Sequence, residues 1–224
     1  MPDYIKQRIS EGEHQRLEFK FEVSEFKKIA RTLVAFSNTD GGSLLIGVKD
    51  NGAIAGVRSE EEYFMIDGAA KMYCRPEISF KAREWLTEGK KVMEVMIGQG
   101  NIKPYLAQDD NGQWLAYIRH GDQNLKAGKL LLEVWERQKS GETTTIHFRQ
   151  AEKALLMHLE QHESITQSKF RRLAGLSANQ SEKILVDFIM LGLISIEHTP
   201  TAVLFRLTQG YRRIIEKSGN ISYI

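Results

Sequence analysis

Three carboxylates near the start of the chain, Glu13, Glu18 and Asp50, are of the residue type that holds a hard divalent cation. Mg²⁺ and Mn²⁺ take oxygen ligands, and such an ion can activate water against a phosphodiester. Spacing alone does not gather the three. Glu13 and Glu18 stand on opposite faces of a regular strand and share no face of a helix. They converge only if the chain bends between Gly12 and Arg16. Taken by themselves, these residues read as solvated surface acids.

The other chemistries the composition allows find less support. Gly42 and Gly47 have the spacing of the two glycines of a phosphate-binding loop, but Val48 and Lys49 follow where Lys and Ser/Thr are required. The residues between them, Ser43 to Ile46, are strand-like. No G-x-x-x-x-G-K-[ST] occurs in the sequence, so ATP is not an expected cofactor. The six histidines (His14, His120, His147, His158, His162, His198) are scattered, and with Cys74 they make no zinc spacing. His158 and His162 lie one turn apart and read as an exposed helix face. Cys74 reads as a packing residue, and no serine sits in a nucleophile-elbow context.

The elements that must position these groups are legible from periodicity. A short helix is expected over Tyr4 to Ser10. From Leu17 the sequence alternates, with Leu17, Phe19, Phe21 and Val23 on one face of a strand. Ser24 is a candidate N-cap for a helix carrying Phe26, Ile29, Ala30, Leu33 and Phe36. The run Ser43 to Val48 is a buried strand that feeds a turn at Asp50-Asn51-Gly52, and Asp50 leaves it at the mouth. Ser59 and Glu62 have capping-box spacing for a helix that continues to Met72 and ends before Pro76. Antiparallel sheet follows: Ile78 to Arg83, a turn at Thr87 to Lys90, Val92 to Ile97, a strand from Lys103 to Leu106, a hairpin turn at Asp109 to Gln113, and Trp114 to Arg119. A helix is then expected from about Leu125 to Gln138. The mixture of elements predicts an α+β fold.

Residues 139–145 are polar and form the expected linker between a first domain, residues 1–138, and a second, residues 146–224. The second reads as three helices (Ala151 to Gln161, Gln167 to Ala174, and a third reaching Met190), then strands Leu193 to Glu197 and Ala202 to Leu207, with a closing helix over Tyr211 to Lys217. Three helices and a β-hairpin make the order of a winged helix-turn-helix module. Its recognition helix would lead with Asn179, Gln180, Ser181 and Lys183, types that meet base edges or phosphate. Lys169, Arg171 and Arg172 on the preceding helix would meet phosphate, and His198 would lie at the wing tip. The charge excess is small: from residue 145 onward there are ten Lys and Arg against seven Asp and Glu. Since phosphate neutralisation supplies most of the affinity for nucleic acid, a docking or dimerisation module stands as the other reading.

Composition bounds the rest. The chain has 224 residues, 42% hydrophobic and 27% charged, with net charge +2 and a pI near 8.5. These values fit a globular protein large enough for two cores. No apolar run approaches a membrane span, MPDYIKQRISEGE contains no signal-peptide core, and a single cysteine fits a reducing compartment. A cytoplasmic location is expected, with no membrane partner.

Several motifs in order carry a family resemblance. EGEHQRLEFK, a helix ending AFSNTDGG, SLLIGVKDNGAIAG, Lys103-Pro104-Tyr105 and YIRHGDQNLKA together resemble the Schlafen-type AlbA-like domain, a family earlier labelled a divergent AAA-type ATP-binding domain. The resemblance covers roughly residues 5 to 130. Asp122 stands where the family's Tyr-x-Arg-x-Gly-Ser run has serine. Bacterial members commonly carry a C-terminal winged helix and are described as transcriptional regulators. The resemblance therefore implies a nucleic-acid-binding protein, most directly a regulator on duplex DNA. Some Schlafen proteins are metal-dependent endonucleases of tRNA and rRNA. Their two glutamates and aspartate match Glu13, Glu18 and Asp50 here, which would be the catalytic, metal-binding trio, with Lys20 or Arg119 near the phosphate. Those nucleases close two tandem lobes around RNA, whereas this chain has one, so a homodimer would have to supply the second. A protein-interaction scaffold is the remaining alternative.

Overall fold

A computed structural model describes residues 4–145 and 148–211. All but the first residue of the expected closing helix falls outside them, as does His147. The chain divides into two compact units, Met1–Ala127 and Gly128–Ile224.

The first unit is built on a four-stranded sheet. Its strands are β1 (Leu17–Lys20), β2 (Gly42–Ile46), β4 (Phe80–Thr87) and β5 (Lys90–Ile97), in the order β1-β2-β5-β4. β1 and β2 are parallel, and the other pairs are antiparallel. Alternation sends the two sides of the sheet to different cores. Leu44, Ile46, Met93, Val95 and Ile97 pack with Ile29, Leu33 and Phe36 of helix α2 (Phe26–Asn38) and with Ile66 and Ala69 of helix α3 (Glu61–Met72). On the other side Leu17, Phe19, Leu45, Val48 and Val92 pack with Ile5 of helix α1 (Tyr4–Ser10). The β4–β5 connection is the two-residue turn Glu88-Gly89, both at positive φ (51° and 71°), which matches the twist of a hairpin.

Local chemistry shifts some expected boundaries. β1 stops at Lys20, so Phe21 and Val23 do not continue its face, and Val23 joins the α2 side of the core. α2 is entered at Glu25, not Ser24. At α3 the expected capping box is only half made: Ser59 N–H donates to Glu62 Oε2 at 3.2 Å, but Ser59 Oγ accepts from Glu61 N–H at 3.2 Å and the helix is entered at Glu60.

After α3, a two-residue strand β3 (Cys74–Arg75) pairs with β6 (Leu106–Gln108), which pairs with β7 (Trp114–Leu115). Strand pairing begins at Leu106, past Lys103-Pro104-Tyr105. β8 (Tyr117–His120) forms a separate hairpin with β9 (Gln123–Lys126). This corrects the helix expected from Leu125. Gly121, at φ 58°, turns the chain back, and Leu125 lies opposite Ile118 in the ladder. The helix begins later, as α4 (Lys129–Ser140).

Cys74 is 2% exposed, and burial pushes its thiol up to about 12. At pH 8 the folded chain should react with iodoacetamide about a thousandfold more slowly than the chain in denaturant. Mass spectrometry of the two reactions measures this, and equal rates would contradict the burial.

The second unit contains α4, α5 (Gln150–Gln161), α6 (Gln167–Ala174), α7 (Ala178–Met190) and the antiparallel hairpin of β10 (Ile194–His198) and β11 (Val203–Leu207). Leu130 and Val134 of α4 bury with Leu155, Phe170, Leu185, Phe188 and Phe205. α4 thus belongs to this core, although the sequence set the domain boundary beyond it. The polarity of residues 139–145 marks exposed chain and not a change of core. Among the described residues, no helix is long and apolar enough to cross a membrane.

Candidate nucleic-acid interface

Helix α6 is entered at Thr166, whose side chain accepts from Lys169 N–H at 3.2 Å. It ends at Gly175, which caps it in the left-handed region at φ 64°. Leu176 and Ser177 complete the turn into α7. Ser177 then caps α7 reciprocally: Gln180 N–H donates to its Oγ at 3.3 Å, and Ser177 N–H donates to Gln180 Oε1 at 2.9 Å. Phe170 of α6 and Leu185, Val186 and Phe188 of α7 point inward and fix which sides of both helices face out.

The outward sides carry most of the residues expected to meet nucleic acid. Lys169, Arg171 and Arg172 on α6, and Asn179, Gln180 and Lys183 on α7, are exposed. Every charged residue of α6 is basic. Lys169, Arg171 and Arg172 make no ion pair among the described residues, and Lys183 has only Asp187 one turn along α7, whereas Lys129 and Arg137 are tied to Glu182 and Asp187.

Ser181 is a correction. It is fully buried, donating to Ala178 O at 2.8 Å and accepting from Gln167 Nε2 at 3.1 Å. It braces α6 against α7 and cannot reach a base. Gln180's side-chain oxygen is used by the cap, which leaves its amide N–H groups to face outward. His198 ends β10, partly buried.

In the first unit the chain does bend where convergence of the acids required it. His14 and Leu17 exchange backbone hydrogen bonds of 2.9 and 3.1 Å, with Gly12 at φ 70° just before. The bend turns Glu13 back onto β1, where its Oε1 accepts from Phe19 N–H at 2.8 Å. Glu18 is 5% exposed, and cations meet both its oxygens: Arg119 Nη1 lies 2.6 Å from Oε2, and Lys20 Nζ lies 2.6 Å from Oε1. Asp50 is exposed in the turn after the strand. The three do not gather with one another; among the described residues, no group of three or more acidic, histidine or cysteine side chains could hold a metal ion. As arranged, the donor set does not fit Mg²⁺ or Mn²⁺, because Glu18 is already neutralised from both sides.

Arg119 is a second correction. At 3% exposure it does not face a phosphate. Its guanidinium bonds Glu18, Asn124 Oδ1 (3.0 Å) and the carbonyls of His14 and Leu17 (both 3.3 Å), and lies 5.1 Å above the Phe36 ring. Lys20 keeps a partly exposed ammonium beside Glu18. Thr32 and Asn124, which complete this cluster through a 2.9 Å hydrogen bond, were not singled out in the sequence. Thr32 and Asn124 lie 92 residues apart along the chain, so no local pattern marks the pair.

The phosphate-loop glycines have packing reasons. A Cβ on Gly42 would meet the Phe36 ring at 2.6 Å, and one on Gly47 (φ 90°) would meet the backbone of Gly56 at 2.7 Å. His158 and His162 stack at 4.1 Å with an interplanar angle of 11°. Burial, then His162 and Lys169, hold His158 below the usual histidine range.

An α+β lobe with a parallel β1–β2 pair and a buried Glu18–Arg119 link, followed by a helical unit with a β-hairpin, defines the class of protein. The chain belongs to the Schlafen AlbA_2 family, whose model matches residues 13–128. Among solved structures it is similar to the DIP2311 protein from Corynebacterium diphtheriae, at 18% identity and TM-score 0.44 over 88% of this chain; the match spans only 35% of that longer chain. It is also similar to the N-terminal domain of an ATP-dependent DNA helicase RecG-related protein from Nitrosomonas europaea, at 20% identity and TM-score 0.41, covering 52% of this chain and 87% of that one. No curated protein matches.

Proposed function

We propose that this chain is a nucleic-acid-binding protein whose second unit is a winged helix-turn-helix that binds duplex DNA, and that it acts as a transcriptional regulator. The observation that carries this reading is the outward side of α6, where all the charge is basic and makes no ion pair among the described residues, set against the exposed leading turn of α7. The three-residue turn containing Gly175, the inward Phe170 and the β10–β11 hairpin fit such a module. Lys169, Arg171 and Arg172 would neutralise phosphates, while Asn179 and Lys183 would reach the base edges.

Fluorescence anisotropy on duplex DNA fragments at several salt concentrations tests this. The wild-type chain should bind at low salt and weaken as salt rises. R171A/R172A/K183A should bind at least tenfold more weakly, with a salt slope reduced by about 0.9 for each phosphate no longer neutralised. Absence of binding at low salt, or a triple variant that matches wild type, would refute the proposal. Preference for structured RNA over duplex DNA in competition would move the interface to another nucleic acid.

A further inference from the structure

β4 is an open edge. Among the described residues it ends the four-stranded sheet, pairs only with β5, and runs from Phe80 to Thr87 in one-to-one register with no proline or bulge. Sheets usually blunt such an edge by keeping it short, kinking it or covering it. Here its middle residues, Lys81 to Glu84, are exposed.

The two sides of this strand differ in chemistry. Phe80, Ala82, Glu84 and Leu86 lie toward α3, beside a cavity of about 280 Å³ whose apolar lining comes from Val57, Tyr63, Phe64, Ala82 and Met93 and whose polar lining comes from Ser59, Glu60, Arg83 and Glu84. Two large apolar side chains are exposed on this side, Phe64 at 65% and Leu86 at 75%. The one acid on that side of the strand, Glu84, is paired with Lys91 at 3.0 Å. On the opposite side Lys81 and Arg83 are exposed, and Arg83 stacks 4.0 Å over Trp85. Neither makes an ion pair among the described residues; Glu94, opposite Arg83 in the ladder, is buried and bonded instead to Tyr4 and Trp85.

We propose that this edge takes an extended segment of a partner protein in which apolar and acidic residues alternate. A strand added to β4 sends successive side chains to opposite faces. One set enters the Tyr63–Phe64 cavity, and the other lies beside Lys81 and Arg83. Its backbone takes up the N–H and C=O groups that β4 presents away from β5. A second copy of β4 fits badly. In a two-fold antiparallel pairing that keeps the helix-bearing faces together, the registers covering nearly the whole strand set Arg83 against Arg83 or Glu84 against Glu84. Like charges directly opposite destabilise a ladder.

The test is fluorescence polarisation of the full chain, without nucleic acid, against three labelled, end-capped octapeptides. These are alternating Val-Glu, the same composition in two blocks, and alternating Val-Lys. The alternating acidic peptide should bind at least tenfold more tightly than either other. K81E/R83E should reverse the preference toward Val-Lys, and F64S should weaken binding without reversing it, each with an unchanged unfolding midpoint. Equal affinity for the three peptides, no binding, or an unreversed preference in K81E/R83E would overturn the proposal. So would concentration-dependent dimerisation in sedimentation that K81E/R83E abolishes, since that would assign the edge to a second copy.

Discussion

Arg119→Met should destabilise the first unit by about 3–5 kcal/mol, the range for removing one partner of a buried ion pair. Arg119 and Glu18 have 1% and 6% of their side chains exposed and lie 2.6 Å apart, so water cannot solvate the carboxylate left behind. Lys20 offsets part of the destabilisation from its partly exposed position, which favours the lower end of that range. The guanidinium also ties β8 to the His14 and Leu17 carbonyls and to Asn124, and methionine replaces none of these bonds. Urea unfolding followed by tryptophan fluorescence measures the change. The chain has three tryptophans, Trp85, Trp114 and Trp135, and the first two report on this unit. The double substitution E18M/R119M should recover much of the stability, because it removes the stranded charge together with its partner. If R119M were as stable as wild type, Arg119 would not be a structural hub, and its reading as a phosphate contact would reopen.

The same pair shows what a sequence can and cannot reveal here. Periodicity located α2, β2 and α5 closely, because each carries apolar residues at helical or strand period that the core uses directly, while α1 and α6 each bury a single side chain, Ile5 and Phe170, and were marked by the breaks that flank them. The β8–β9 hairpin was hidden. Asn124, Leu125 and Lys126 show no helix-breaking residue, and only the geometry of Gly121 turns them back. The polar residues were harder still. Glu18, Asn38 and Arg119 belong to motifs that identify the family, and motif acids and bases invite a chemical reading. Burial decides otherwise, and burial of a charge depends on partners far along the chain, such as Arg119 for Glu18. Ser181 illustrates the same limit on a helix: its place in the first turn of α7 suggested exposure, but α6 crosses that turn. By contrast, the exposure of Arg171 and Arg172 was legible, because Phe170 between the basic residues has to be the inward one.

Asn38→Ala should cost the first unit about 3 kcal/mol or more. Asn38 is the last residue of α2 and is 2% exposed. Its Nδ2 donates to Tyr105 O at 2.8 Å and to Tyr117 O at 2.9 Å, and its Oδ1 accepts from Tyr105 N–H at 2.8 Å. Truncation leaves three backbone groups without that partner, and each buried unmade bond costs about 1–3 kcal/mol. Thr39, next along, accepts from Arg119 N–H at 2.8 Å. The end of α2, the Lys103-Pro104-Tyr105 segment and the Tyr117–Arg119 strand are therefore held at one place, which is why those separated motifs occur as an ordered set. Asn38→Asp separates hydrogen bonding from shape. The carboxylate keeps the acceptor for Tyr105 N–H but faces two carbonyl oxygens, so its folded pKa should rise above the unfolded value of about 3.9. A raised folded pKa adds stability below the unfolded pKa and loses it as pH climbs through the folded one. N38D should thus lie closer to wild type near pH 4 than at pH 7, whereas N38A should show the same deficit at both. Parallel urea titrations of the three proteins at the two pH values measure this, and a deficit in N38D that is independent of pH would mean that Asn38 acts by filling space and not by bridging the three segments.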